Sequence, residues 1–314
     1  MLLNLAYIIG GLVLLTVGAE GLVRGSTGLA LRLGVTALMI GLTVVAFGTG
    51  SPELFLGIQA ARAGDSGLAL GNVVGSNISN IALVLGVAAV VKPMRVRSEL
   101  IRREMPLMIG ATVILALMLA DARLTRLEGV VLIAGAVVYT VMAYMVARAS
   151  ERSAVATEFD EALAGERRPV LLDVGLLVVG LSALLIGASV LLKGAVAVAS
   201  DLGVSQVVIG LTVLAIGTSL PELATSVTST LRGEADVAFG NVIGSNVLNI
   251  LAVLGVVAVI HPFDIQGLRP LDVAVMVGSA VVLLPLMWRG SVLNRWEGAG
   301  LLLGYGLYLY SLVQ

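Results

Sequence analysis

Two glutamates stand where an apolar chain has no ordinary use for them. Glu53 lies in AFGTGSPELF, residues 46–55, and Glu222 in AIGTSLPELA, residues 215–224. At mid-bilayer depth a carboxylate costs several kcal/mol and must be neutralised by a base, a proton, a water cavity or a cation. No Lys or Arg lies deep in any apolar stretch, so the partner is not a basic side chain. Proline removes a backbone donor, and Gly48 and Gly217 loosen the chain just before it, so each helix is predicted to break there. The membrane tolerates the freed carbonyls only where they line a cavity or hold a ligand. Carboxylate, carbonyl and hydroxyl oxygens together suit hard cations such as Na⁺ and Ca²⁺.

More oxygen follows each glutamate. GNVVGSNISNIALVLG spans Gly71–Gly86 and GNVIGSNVLNILAVLG spans Gly240–Gly255. Thr49 and Glu53 are four residues apart, as are Ser76 and Asn80, Thr218 and Glu222, and Ser245 and Asn249. Wherever the backbone stays helical, that spacing puts each pair on one face. A lone Ser or Asn is as readily an interhelical hydrogen bond, and Gly71/Gly75 and Gly240/Gly244 are read as packing contacts that let helices approach. The duplicated set with its two glutamates reads as a cation site.

The elements that hold these residues must be membrane helices. The 314-residue chain is 58% hydrophobic and 12% charged, with a mean hydropathy of +1.06, too little charge for a soluble domain. Apolar runs long enough for a bilayer core recur from end to end, and the alternating segments of a β-barrel do not. Ten spans are predicted, at roughly 2–23, 35–60, 68–91, 105–120, 128–147, 170–192, 204–230, 237–260, 272–288 and 296–313. The first lacks a basic lead segment and is read as an uncleaved span. With no cysteine, disulfides and thiolate chemistry are excluded, and a net charge of −1 gives no sign of nucleic-acid binding.

Basic residues set the orientation. With the N-terminus outside, Arg62, Arg123, Arg126, Lys193 and Arg269 fall in outer connections, and the remaining 14 of the 19 Lys and Arg fall in inner ones. The positive-inside rule then places both termini outside. The hydrophilic stretch 148–169 becomes an inner linker, with room for one short surface helix, between a first half, 1–147, and a second, 170–314.

The halves are related. A shift of 169 residues superposes Gly41–Gly86 on Gly210–Gly255 with 23 of 46 positions identical. Each half holds five spans, an odd number, so the second must enter the membrane upside down. The predicted fold is an all-α polytopic protein of ten transmembrane helices. They form two inverted-topology five-helix repeats with broken helices at the midplane, a plan common in secondary transporters. Duplication of a scaffold alone would keep the apolar pattern but not Thr, Glu, Ser and Asn at matched places.

GLTVVAFGTGSPEL with GNVVGSNISN, and GLTVLAIGTSLPELATS with GNVIGSNVLN, resemble the two α-repeats of the cation/Ca²⁺ exchanger superfamily, closest to prokaryotic sodium/calcium exchangers. The resemblance covers nearly the whole chain. It implies that Glu53 and Glu222 are the central cation ligands. Thr49, Ser76, Thr218 and Ser245 would give hydroxyls to flanking sodium sites, Ala46 and Ala215 backbone carbonyls, and Asn80 and Asn249 would close the centre. It further implies Ca²⁺/Na⁺ antiport by alternating access in a prokaryotic cell membrane, the first and sixth spans sliding on a fixed core, with no cofactor and no required protein partner. Gly50 stands where a serine is common, and Asn249 where many relatives carry aspartate.

Proton/calcium exchange through the same site is the alternative within transport. A cation channel fits less well, because the ligands come from both inverted halves. An intramembrane serine protease would need a base beside Ser51, and the only histidine, His261, precedes Pro262 at a span end. The chain is therefore not read as an enzyme. Glu20 lies near a span end, and Glu128 and Glu297 begin spans, where helix N-termini favour acids.

Overall fold

The computed structural model describes residues 2–64, 66–150, 169–202, 215–264 and 268–313, which are almost entirely helical. Helix α1 (Leu2–Leu33) leads to α2 (Ala37–Thr49) and α3 (Ser51–Ala63), one path bent by 43°. Then come α4 (66–91), α5 (Leu100–Asp121) and α6 (Arg126–Ser150). The second half repeats the order with α7 (Val170–Asp201), α8 (Ala215–Thr218), α9 (Leu220–Arg232), α10 (Ala235–Ile260), α11 (Pro270–Trp288) and α12 (Arg295–Val313).

Among the described residues seven helices are long and apolar enough to cross a bilayer, or eight if α2 and α3 form one span. Two of the ten predicted spans are outside that count. Part of 204–230 falls on residues 203–214, outside the described residues. The other, 296–313, is the 19-residue α12, whose glycines and tyrosines dilute its hydropathy. Helices α1 and α7 each run 32 residues, well past the predicted ends, because the chain stays helical through the polar residues that follow each apolar run. Helix α6 runs to Ser150, and the rest of the predicted linker, with its surface helix, lies in 151–168, outside the described residues.

Helices α1 and α7 pack antiparallel, nearly backbone to backbone. A Cβ on Gly18 would stand 2.7 Å from the Leu184 nitrogen, and one on Gly187 would stand 2.8 Å from the Leu15 nitrogen. One on Gly25 would meet the Asp173 carbonyl oxygen at 2.6 Å, and one on Gly194 the Asn4 oxygen at 2.7 Å. Small residues are required because any side chain would wedge the helices apart. Each contact becomes its mate when 169 is added to the lower number and subtracted from the higher. The same exchange relates Gly86 against Gly298 to Gly255 against Gly129. It also relates the bridge Met94–Leu293 to the bridge Phe263–Leu124, each in a two-residue antiparallel pair of strands, β1 (Met94–Arg95) with β4 (Val292–Leu293) and β2 (Arg123–Leu124) with β3 (Phe263–Asp264).

The core forms around α4 and α10. Every residue of α10 from Val237 to Leu248 is buried, a pattern that needs neighbours on all sides rather than lipid. Apolar side chains of α1, α6 and α7, such as Ile9, Val137 and Val179, are exposed, as a lipid-facing rim requires. Gly64 and Gly233, with φ of +73° and +85°, end α3 and α9 in the left-handed conformation that glycine adopts without strain. Glu128 and Glu297, at the span starts where the sequence placed them, accept from the backbone nitrogens of Thr125 and Asn294, both at 2.8 Å, and so cap α6 and α12.

Candidate cation site

The backbone breaks at Gly50 (φ −78°, ψ 2°) and Ser219 (φ −86°, ψ 5°). Each break falls inside the expected GT-x-x-P segment, two residues before its proline, while Gly48 and Gly217 stay in the preceding helix. Both glycines serve packing: a Cβ on Gly48 would meet Leu181 at 3.1 Å, and one on Gly217 would meet Leu192 at 2.7 Å. Pro52 and Pro221 are the second residues of α3 and α9, where a missing N–H costs nothing. Pro52 still deprives the Gly48 carbonyl of its helical donor, and the Ser51 hydroxyl replaces it at 2.7 Å. Glu53 and Glu222 come next, in the first turns of α3 and α9, where the helix dipole favours negative charge.

The two carboxylates are each 1% exposed and close enough to interact electrostatically. Ser76 Oγ donates to Glu53 Oε1 at 3.4 Å. Glu53 Oε2 and both Glu222 oxygens are buried without a hydrogen-bond partner. Among the described residues no Lys, Arg or His forms an ion pair with either glutamate. The Thr49 hydroxyl, beside Glu222, donates to Asn241 Oδ1 at 2.9 Å.

Five asparagines build the surround, and the amides of four of them mirror one another across the two halves. Asn77 Nδ2 donates to the Asn246 carbonyl and Asn246 Nδ2 to the Asn77 carbonyl, each at 3.4 Å. Asn80 Nδ2 donates to Asn246 Oδ1 at 3.1 Å, and Asn249 Nδ2 to Asn77 Oδ1 at 3.3 Å. With its nitrogen engaged, Asn80 turns an unpartnered buried Oδ1 away from that bond, an acceptor suited to a cation. Short π-helical segments start at Asn80 and Asn249, local widenings of the kind found at functional sites. Asn241 Nδ2 bonds Ser226 Oγ at 3.1 Å and the Glu222 carbonyl at 3.4 Å.

Of the sequence-selected residues, Ser76 meets Glu53, Thr49 stands beside Glu222 and bonds Asn241, and Asn80 and Asn249 bond Asn246 and Asn77. Ser245 Oγ donates to the Ala46 carbonyl at 3.4 Å. Thr218 lines a mainly apolar cavity of about 820 Å³ that also reaches Ser76 and Pro221 and extends to Leu268, Tyr308 and Leu312. Ala215 begins α8. Thr49 and Glu53 do not share one unbroken helix face, because Gly50 separates α2 from α3. Gly240 and Gly244 pack on α2, with Cβ positions 2.6 Å from the Leu38 oxygen and 2.5 Å from the Leu42 oxygen. Asn77, Asn241 and Asn246 were missed as site residues; their recurrence 169 residues from Asn246, Asn72 and Asn77 was the available signal.

The described residues hold no group of three or more His, Cys, Asp or Glu that could take a metal ion. Two carboxylates among neutral oxygens form a hard, oxygen-only set, suited to alkali and alkaline-earth cations rather than to zinc or copper.

The sodium/calcium exchanger protein family matches residues 3–145 and 172–314. The chain is 42% identical to CaxA of Alkalimonas amylolytica, covering 99% of each. It is 31% identical to the sodium/calcium exchanger MaX1 of Methanosarcina acetivorans, covering 98% of each. The solved structure of the sodium-calcium exchanger NCX_Mj, soaked with 2.5 mM Na⁺ and 0.1 mM Ca²⁺, matches with a TM-score of 0.85 at 31% identity, covering 99% of each chain. The chain is an integral membrane protein of the sodium/calcium exchanger protein family.

Proposed function

We propose that the protein is a secondary antiporter that exchanges Ca²⁺ for Na⁺, with Glu53 and Glu222 as the shared central ligands. The observation that carries this reading is the pair of buried carboxylates with three unpartnered oxygens and no basic partner among the described residues. Two carboxylates buried in this way are neutralised either by protons or by a counter-cation, and the surrounding oxygen atoms suit the cation. Ca²⁺ matches their charge, and Na⁺ shares its preference for oxygen ligands. The solved relative NCX_Mj is described as exchanging extracellular ions with occlusion of its binding site. Thr49, Ser76, Thr218 and Ser245 supply hydroxyls, Ala46 and Ala215 carbonyls, and Asn80 and Asn249 amide oxygens around the centre.

The two halves, 1–147 and 170–314, act as inverted repeats joined by a cytoplasmic linker at 148–169, with both termini outside. The exchange of close contacts under a 169-residue shift supports the repeat, and the Lys and Arg bias supports the orientation. The cavity from Leu268 and Tyr308 to Thr218 is then an outer approach to the site. The test is Ca²⁺ uptake into proteoliposomes preloaded with Na⁺, against liposomes with an imposed proton gradient and no Na⁺. Uptake driven by Na⁺ supports the reading. Uptake driven by the proton gradient alone replaces it with proton/calcium exchange.

A further inference from the structure

Helix α9 continues past Glu222 with a polar face. Glu222, Thr225, Ser226, Ser229 and Thr230 fall at offsets of three, four, seven and eight residues, one side of a helix, over about 12 Å. All are buried; Thr225, Ser226 and Ser229 are 0% exposed. Ser229 and Thr230 return their hydroxyls to the Thr225 and Ser226 carbonyls at 2.8 and 2.7 Å, and Ser226 accepts from Asn241. Thr225 Oγ1 has no partner. In the first half the matched positions are Leu56, Gly57, Ala60 and Ala61, so packing inherited from the duplication does not account for the hydroxyls.

The stripe ends at a charged cluster. Arg232, the last residue of α9, donates from Nε to Glu20 Oε2 of α1 at 2.6 Å, and Arg24 pairs with the same carboxylate at 2.6 Å. The matched positions, Ala63, Ser189 and Lys193, cannot form this bridge. We propose that the α9 hydroxyl face is the closed half of the ion path on the Arg232 side of the site, and that the Glu20–Arg232 bridge is its latch. The inference rests on the reading of Glu222 as a cation ligand. In this path hydroxyl oxygens replace water around a passing cation while it is shielded from lipid; movement of α9 away from Asn241 of α10 and from Met94, which the bridge to α1 resists, wets the stripe. The bridge joins partly exposed side chains, 32% and 36%, so it biases the closed state without locking it.

The absence of cysteine makes the test direct, since a single introduced thiol is the only one. Ser229→Cys and, as a buried apolar control, Ala88→Cys are purified in detergent and treated with a cationic, membrane-impermeant methanethiosulfonate. Transient opening should make Ser229→Cys react at least about tenfold faster than Ala88→Cys. Adding Arg232→Gln should raise the Ser229→Cys rate a further roughly two- to fivefold, the shift expected from losing one half-exposed ion pair, and leave Ala88→Cys unchanged. Equal rates for the two thiols in both backgrounds would overturn the path, and an unresponsive Ser229→Cys rate would overturn the latch. Thr225→Cys, one turn nearer Glu222, replaces Ser229→Cys if that variant does not fold. Ca²⁺ binding measured before labelling separates the failures: binding retained beside an inert thiol removes only the path, whereas no Ca²⁺ binding by the unmodified protein removes the site.

Discussion

Replacing Glu222 by Gln should stabilise the ion-free protein while abolishing its response to Ca²⁺. Glu222 is buried, its two oxygens have no donor, and Glu53 lies within electrostatic reach. Like charges in a buried site repel, by about 4 kcal/mol for a pair ~4 Å apart at an effective dielectric of ~20, and the strain persists until a cation or a proton neutralises one of them. The variant loses that repulsion and one buried charge, and gains a neutral amide of similar shape. The bound state changes in the opposite sense. A ligand at ~100 times its Kd stabilises by about 2.7 kcal/mol, which in a chain of this size is a shift of several degrees. The assay is thermal unfolding of the purified protein in Na⁺-free buffer, with and without Ca²⁺. The wild type should show a Ca²⁺-dependent rise in Tm. Glu222→Gln should show an unliganded Tm at or above that of the wild type and no rise. A clear Ca²⁺-dependent rise in the variant, or a fall in its unliganded Tm by many degrees, would refute this account of the pair.

Gly244→Ala should cost a few kcal/mol or prevent assembly, because its Cβ would meet the Leu42 oxygen at 2.5 Å and Ala46 Cβ at 2.8 Å; expression level and Tm report it. Two carboxylates balance one Ca²⁺, and with three Na⁺, the stoichiometry that the exchanger resemblance implies, they would leave one net positive charge, so an imposed potential should alter the initial exchange rate, coupling at about 2.3 kcal/mol per 100 mV. A rate indifferent to potential would mean electroneutral exchange. Asn249 and Asn80 offer neutral oxygens in place of a third carboxylate, so Ca²⁺ flux in clamped vesicles should not require K⁺, and acid should slow it as protons compete for Glu53 and Glu222.

The repeat and the oxygen-rich motifs were legible because a 169-residue shift aligns Thr, Pro, Glu, Ser and Asn, which lipid-facing packing has no reason to keep. The segment that breaks was legible too, but not the residue within it. Proline points to a disrupted helix, but it is accommodated at the start of a new helix, so the chain turns two residues earlier at Gly50 and Ser219. The Asn77–Asn246 lock was hidden for another reason. Reciprocal amide bonds across the two halves depend on both helices at once, and periodicity within one helix cannot show which face meets its counterpart. The extents of α1 and α7 were underestimated because hydropathy follows the bilayer, whereas the helix continues wherever backbone bonds and packing allow.

Radiolabelled Ca²⁺ uptake into Na⁺-loaded proteoliposomes, wild type beside Glu53→Gln and Glu222→Gln, tests the central claim most directly. The account expects Na⁺-gradient-driven uptake by the wild type. It expects background uptake by both variants, each folded by size-exclusion and thermal criteria, because one carboxylate cannot neutralise a divalent ion in this buried site. Near-normal uptake by either variant would contradict it.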